Sequence, residues 1–252
     1  MTDYLLVHGA GQGAWSWGKV WGYLTAPVEH PPRLASRPKV NKVFPMDLPS
    51  HGADAGGDTA GVLPEECVQA IVRAVERQDM HDLVLVGHGF SAPLVLKASA
   101  QLRVPPRRVV LVAGIVPGGG SNMISVLSPN IRFCFNLSAG ITGMLGKELR
   151  LPKPLINRYL CNGVEPQEIV QSVGLYGPLA TRTLKTRVQQ EELETPSPVT
   201  YVLLTQDRIL PPPIQRRMAE RIPDVELVEL DACHQAPLYR AREMADLLLS
   251  YS

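Results

Sequence analysis

The sequence predicts an α/β fold, a mostly parallel sheet flanked by helices, with a helical lid inserted in its second half. Short apolar runs typical of strands alternate with amphipathic segments typical of helices along most of the 252 residues. This alternation favours parallel strands that are joined by helices and buried on both faces. The length and a hydrophobic content of 45% suit one large domain with a sizeable core.

The first half of the chain contains three strand-helix pairs. The segments of four to seven residues are rich in Val and Leu, as buried strands are. The longest helical segment begins with Pro64 and repeats Val68, Ile71 and Val75 on one face, which indicates an amphipathic helix. In order, the elements are a strand at 4–7, a helix at 14–24, a strand at 40–46, a helix at 64–78, a strand at 83–87 and a helix at 92–100.

The second half resumes the alternation after a long interruption. Its predicted elements are strands at 108–115 and 198–205, a helix at 212–222, a strand at 225–230 and a helix at 241–251. The proline-rich stretch 27–38 joins a helix to a strand, so we expect a surface loop at the edge of the sheet opposite the ligand-binding edge. The stretch 116–195 begins at the ligand-binding edge. We therefore predict a core of residues 1–115 and 196–252 and a lid of residues 116–195.

Charge and cysteine content limit the classes of partner. There are 25 basic and 24 acidic residues, a net charge of +1, and no long charge run, so neither nucleic acid nor an anionic membrane is an expected partner. The cysteines lack C-x-x-C spacing, so neither a structural zinc nor a disulfide framework is predicted. No apolar run approaches the roughly 20 residues of a membrane span. We expect a cytoplasmic protein with no metal or organic cofactor, and the sequence leaves open whether it forms a homodimer.

Four motifs occur in order along the chain. They are Leu5 to Trp15, with His8-Gly9-Ala10-Gly11, then Asp47-Leu48-Pro49-Ser50-His51-Gly52, Leu204 to Pro211, and His234. Together they resemble the α/β-hydrolase family, and within it the branch of methylesterases and hydroxynitrile lyases. The first motif resembles the oxyanion loop of that branch and the second its turn after the second strand, the third resembles the segment that carries the catalytic acid, and His234 stands where the catalytic histidine stands. The resemblance covers most of the chain and is weakest over the predicted lid.

The resemblance implies a role for four residues. The backbone amides of Ala10 and Phe90 would form an oxyanion hole. His234 would be the catalytic base, oriented by Asp207, because both follow late strands at the same edge of the sheet. For His8 we expect a structural role. In hydroxynitrile lyases of this fold a lysine directly follows the histidine, whereas here Gln235 does, so that activity is not implied.

The turn Gly87-His88-Gly89-Phe90-Ser91 has the position of the nucleophile elbow of this family, normally G-x-S-x-G. Glycine therefore occupies the nucleophile position, which requires a backbone conformation that glycine adopts freely. Ser91 is an alternative nucleophile, although a helix cap is the expected role of its hydroxyl. Cys233 is a second alternative, for which a buried thiol is the expected state. Asp231 competes with Asp207 as the acid, but its place at a strand end favours a turn.

These observations predict an enzyme that acts on a small, largely apolar carbonyl or ester compound by acid-base catalysis without a serine nucleophile. The reaction would be of the lyase, isomerase, cyclase or decarboxylase type, or hydrolysis by an activated water. Two alternatives stay open: a serine esterase in which Gly89 is an engineered replacement, and a non-catalytic protein that binds a ligand or a partner. Apolar side chains of the lid are expected to line the pocket: Met123, Phe133, Phe135, Met144, Leu145, Tyr159, Leu175 and Tyr176.

Overall fold

The computed structural model describes residues 1–26, 40–55 and 57–252, and the predicted loop at 27–38 lies outside the described residues. The strands are β1 (Thr2–Val7), β2 (Val40–Met46), β3 (Leu83–His88), β4 (Arg108–Val112), β5 (Ser121–Asn122), β6 (Arg187–Val188), β7 (Val199–Leu204) and β8 (Glu226–Leu230). Six of them form a parallel sheet in the order β2-β1-β3-β4-β7-β8, and β5 pairs with β6 in a separate antiparallel ribbon. The predicted fold class is confirmed.

Helices cover both faces of this sheet. They are α1 (Gly18–Thr25), α2 (Pro64–Arg77), α3 (Ala92–Gln101), α4 (Pro129–Met144), α5 (Lys153–Leu155), α6 (Pro166–Val173), α7 (Thr181–Lys185), α8 (Pro212–Ala219), α9 (Ala236–Tyr239) and α10 (Ala241–Leu249). Because side chains alternate along a strand, Leu5 of β1 packs with α2 and α3 on one face, whereas Tyr4 and Leu6 pack with α1 and α10 on the other. The buried central strands are therefore apolar on both sides.

Several predicted elements have other bounds in the structure. The helix predicted at 212–222 ends at Ala219, and the helix predicted at 241–251 ends at Leu249. The strand predicted at 108–115 ends at Val112, because Ala113 has a positive φ of 43° and turns the chain. The Ile115 amide then donates to the carbonyl of Gly89 (2.8 Å), which fixes this turn against the loop after β3. The helix predicted at 14–24 begins as a tight 3₁₀ turn at Ala14–Trp17 and becomes α-helical only from Gly18.

The segment 116–195 contains α4 to α7 and the β5–β6 ribbon. After α5 the chain continues as a π-helical turn at Ile156–Leu160. Among the described residues, no helix combines the length and the apolar character needed to span a bilayer. The division into a core and a lid remains a prediction.

Candidate active site

A cavity of about 210 Å³ opens at the carboxyl ends of the parallel strands. Loops from four strands line it: Ala10 follows β1, Gly89 follows β3, Leu210 follows β7 and His234 follows β8. Since parallel strands all end at the same edge of the sheet, loops that are distant in sequence meet here. The structure thus brings together the elbow, the predicted acid and the predicted base.

The turn after β3 places Gly89 directly against His234. Gly89 has a φ of +56°, a left-handed conformation that costs a residue with a side chain roughly 1–2 kcal/mol. A Cβ atom at this position would lie 3.4 Å from Nε2 of His234 and 3.7 Å from its Cε1. Both are ordinary van der Waals contacts, so a side chain at position 89 would contact His234 without a clash.

Asp207 and His234 form a buried pair. Nδ1 of His234 donates to Oδ2 of Asp207 at 2.7 Å. The other carboxylate oxygen of Asp207 accepts the backbone amides of Ile209 and Leu210, both at 2.9 Å. With its proton held on Nδ1, the neutral imidazole keeps the lone pair of Nε2 directed at Gly89.

The two residues whose amides are predicted to form an oxyanion hole line the same cavity. Ala10 follows β1 and Phe90 follows Gly89, and both line the cavity together with His234. Gly9 is required beside Ala10, because a Cβ there would lie 2.7 Å from Oε1 of Gln12 and 2.8 Å from Nδ1 of His88. The oxyanion loop can approach the elbow this closely only with glycine at that position.

Ser91 lies outside the cavity wall. Its hydroxyl donates to the carbonyl of His88 (3.0 Å), with a longer contact to the carbonyl of Val7 (3.4 Å). Although Ser91 is the residue before α3, its side chain makes no capping bond, so the expected helix cap is wrong. The hydroxyl is instead turned toward the end of the sheet.

The other competing residues are held in structural roles. Burial raises the pKa of the Cys233 thiol, which favours the protonated, unreactive form. Asp231 accepts hydrogen bonds from Thr205 and Gln206, both at 2.8 Å, and these bonds lower the pKa of its exposed carboxyl. In the described part of the chain, no three His, Cys, Asp or Glu side chains converge as a metal site would require.

Sequence reasoning missed a buried hydrogen-bond network centred on Gln12. Its amide nitrogen donates to Oε1 of Gln235 (2.6 Å) and to the hydroxyl of Tyr176 (3.1 Å), and its oxygen accepts the amide of Gly9 (2.9 Å). His88 lies 3.3 Å from the same oxygen and, through Nε2, 3.0 Å from the carbonyl of His234. The network therefore joins the oxyanion loop, the elbow and the histidine loop to Tyr176.

A second missed residue is Gln215 of α8. Its side-chain amide hydrogen-bonds both backbone groups of Leu204 and the carbonyl of Leu210, and its nitrogen lies 3.4 Å from Oδ2 of Asp207. It clamps the loop that carries Asp207 to the end of β7. A signal was present in the sequence, since a glutamine on the apolar face of an amphipathic helix is usually hydrogen-bonded.

His8 has the structural role that was predicted for it. Its Nδ1 donates to the carbonyl of Gly9 (2.8 Å), and its Nε2 accepts the amide of Leu48 (3.1 Å). This links the loop after β1 to the turn after β2. Burial first, and repulsion from His51 second, lower the pKa of His8 to about 3.

We predict that His8 makes the stability of the protein depend on pH. Because its folded-state pKa lies below the unfolded value of about 6.5, its contribution is fully present above pH 6.5 and is lost as the pH falls toward 3. Lowering the pH from 7 to 5 should cost about 2 kcal/mol of unfolding free energy through this group alone. In urea denaturation, His8→Gln should lose about 2 kcal/mol less unfolding free energy than the wild type over the same change of pH. His81→Gln, which changes an exposed histidine, should lose as much unfolding free energy between pH 7 and pH 5 as the wild type does. An equal loss in the wild type and in His8→Gln would contradict the assignment of this pH dependence to His8.

The wall of the cavity is mainly apolar, but its composition differs from the prediction. Of the apolar side chains expected there, only Met123 and Phe135 line it. Tyr176 is buried behind Gln12, and Tyr159 is half-buried outside the wall. Phe133, Met144, Leu145 and Leu175 are exposed to solvent. Aliphatic side chains outside the predicted set complete the wall: Ile115, Ile124, Leu127, Ile131, Leu149, Leu151, Leu155, Leu160, Leu179, Leu184, Ile209 and Leu210.

Comparison with known proteins gives consistent matches over nearly the whole chain. A family model described as "Alpha/beta hydrolase family" matches residues 4–247. Methylesterase 9 of Arabidopsis thaliana is 25% identical over 99% of this chain and 97% of its own, and the probable esterase PIR7A of Oryza sativa subsp. indica is 25% identical over 98% and 95%. An extracellular alpha/beta-hydrolase from a Paenibacillus species superposes with a TM-score of 0.84 at 19% identity, covering 100% of this chain and 99% of that one. This last likeness shows the shared fold.

Proposed function

This chain belongs to the alpha/beta hydrolase family and is an esterase-like enzyme of that fold, and from that premise we propose that it catalyses proton transfer on a small, largely apolar carbonyl compound without a covalent intermediate. His234 is the general base, Asp207 orients it, and the amides of Ala10 and Phe90 stabilise the anion that forms. The reaction belongs to the lyase, isomerase, cyclase or decarboxylase type.

One observation carries this proposal: Nε2 of His234 faces the position of a side chain that Gly89 lacks. A Cβ atom there would lie 3.4 Å from Nε2, so the space beside the base is open to the substrate. The hydrogen bond from Nδ1 to Asp207 (2.7 Å) leaves Nε2 as the proton acceptor. A substrate proton in this space is within the reach that general-base catalysis requires.

The anion that results would lie beside the oxyanion donors. When Nε2 removes a proton from the carbon next to a carbonyl, the electron pair of the C–H bond moves to the carbonyl oxygen and an enolate forms. Backbone amides aimed at that oxygen stabilise the charge without reorganisation in a site of low polarity. The imidazolium then returns the proton to another atom of the substrate or to a leaving group, which completes an isomerisation or an elimination.

We predict that a fluorophosphonate probe does not label the wild-type protein. Position 89 has no side chain, the Ser91 hydroxyl is bonded to a carbonyl and the Cys233 thiol is buried. Intact-mass measurement after incubation should give the unmodified mass, with Gly89→Ser as the positive control. A stoichiometric adduct on Ser91 or Cys233 of the wild type, located by peptide mapping, would overturn the proposal of a non-covalent mechanism.

Hydrolysis by an activated water is a second candidate, favoured by the esterase names of the relatives. A water beside Nε2 could attack an ester carbonyl in place of the absent serine. The apolar wall argues against it, because an ordered water usually needs two to four polar partners. This candidate would be favoured over proton transfer if a wild-type protein that the fluorophosphonate does not label hydrolyses phenyl acetate and His234→Ala does not.

A further inference from the structure

We propose that α4 docks this protein on an anionic lipid surface through the side of the helix that faces solvent. This outer face consists of Phe133, Leu137, Ile141 and Met144. The proposal concerns binding at a membrane surface, which differs from spanning a bilayer. It also differs from the expectation drawn from the balanced charge of the whole chain, because it rests on how apolar and charged residues are distributed locally.

The outer face of α4 is a continuous apolar stripe. Its residues recur at intervals of three and four, which places them on one side of an α-helix. Their exposed fractions are 68% for Phe133, 53% for Leu137, 50% for Ile141 and 90% for Met144, and Leu145, directly after the helix, is 62% exposed. No other stretch of similar length among the described residues exposes as many large apolar side chains.

A neighbouring side of α4 faces the cavity. Ile131, Cys134, Phe135 and Ser138 line the cavity, and on average they lie roughly a third of a turn away from the outer face. A surface helix normally carries polar residues on the side away from the protein, and a helix that is apolar all round is normally buried. Among the described residues, none covers the outer face of α4, although its apolar composition is typical of a buried surface.

Basic side chains surround this face in sequence and indicate the charge of that partner. Residues 129–163 contain one acidic residue, Glu148, and five basic ones: Arg132, Lys147, Arg150, Lys153 and Arg158. All five basic residues are exposed. In the described ranges none of them forms an ion pair with a carboxylate, and Glu148 accepts the amide of Thr59 (3.1 Å). This segment thus carries a local charge of +4 within a chain of net charge +1.

Charge distinguishes an anionic lipid surface from a second copy of the chain. Two copies that met through α4 would bring two segments of charge +4 together, and like charges disfavour that contact. An anionic lipid surface attracts the basic residues and accepts the apolar side chains at its boundary. Apolar area combined with basic charge is the pair of signals that gives stable interfacial binding.

Cosedimentation with lipid vesicles tests the proposal on the full chain. We expect the wild type to bind vesicles of phosphatidylcholine mixed with phosphatidylserine, to bind phosphatidylcholine alone far less, and to dissociate as salt is raised. Lys147→Gln with Lys153→Gln should weaken binding roughly 25-fold, since each basic residue contributes about a factor of five. Leu137→Ser with Met144→Ser should also weaken it by at least about tenfold.

Arg103→Gln with Val104→Ser is the matched control, because it removes one exposed basic and one exposed apolar residue at the opposite edge of the sheet, just before β4. It should bind as the wild type does. No binding to phosphatidylserine vesicles by a folded wild type would overturn the proposal. The proposal would also be overturned if the control variant weakened vesicle binding as much as the α4 variants do. A dimer in solution that Leu137→Ser with Met144→Ser converts to a monomer would overturn it as well.

Discussion

Gly89→Ser should convert this protein into a serine esterase that a fluorophosphonate labels at position 89. The new Cβ would lie 3.4 Å from Nε2 of His234, so a hydroxyl on that carbon reaches the base. Asp207 and the amides of Ala10 and Phe90 would complete the machinery. We expect hydrolysis of p-nitrophenyl acetate to rise about 10²-fold or more, below the roughly 10⁶-fold that a native triad supplies.

Gly89→Ala is the matched control for that gain. It adds the same Cβ at the same positive φ of 56° but supplies no hydroxyl, so it should match Gly89→Ser in stability and gain no esterase activity. If Gly89→Ser folds, as judged by thermal denaturation, and gains no more activity than Gly89→Ala, then His234 and Asp207 are not aligned for catalysis at this position.

His234→Ala should abolish most of the activity that the pair with Asp207 supports. Loss of a general base costs about 10²–10⁴-fold in rate, and the esterase activity of Gly89→Ser gives a measurable background in which to observe it. His81→Ala removes an exposed histidine that contacts Asp79 and should leave the rate unchanged. Partial recovery of the His234→Ala rate on addition of imidazole would identify the missing group as a proton acceptor, and an undiminished rate would exclude His234 from the chemistry.

Asp207→Asn tests the orientation of the imidazole separately from its presence. An amide nitrogen at the place of Oδ2 would no longer accept the Nδ1 proton, so the lone pair would shift away from Gly89. We expect most of the roughly 10²-fold gain of Gly89→Ser to be lost in the same assay, while Asp231→Asn, which changes an exposed acid bonded to Thr205, should have little effect. Equal losses in both variants would contradict the assignment of the acid.

The sequence was informative where chemistry depends on the order of local motifs. The strand at 83–87, the turn with Gly89 and the helix that follows are consecutive, so their geometry is local and could be predicted. Asp207 and His234 each follow a strand, and parallel strands bring such positions to one edge of a sheet. The end of β4 could not be predicted, because the apolar run continues past Val112 while the turn at Ala113 depends on the neighbouring loop.

Contacts between residues that are distant in the sequence also could not be predicted. Gln12 meets Tyr176 and Gln235, which are 164 and 223 positions away, and no local pattern indicates such partners. Phe133, Phe135 and Met144 of α4 were all expected to line the pocket, because composition alone does not say which side of a helix faces the cavity. The structure separates Phe135, on the wall, from Phe133, which is 68% exposed.

Hydrogen-deuterium exchange into a small apolar ketone tests the central claim most directly. Phenylacetone in D₂O, followed by proton NMR, reports removal of a proton next to a carbonyl without knowledge of the native substrate. We predict exchange well above the buffer rate with the wild type, reduced about 10²–10⁴-fold in His234→Ala. Two results would contradict the claim that His234 acts as a base on a substrate beside Gly89. One is exchange at the same rate with the wild type and with His234→Ala. The other is the absence of exchange with a wild-type protein that binds phenylacetone.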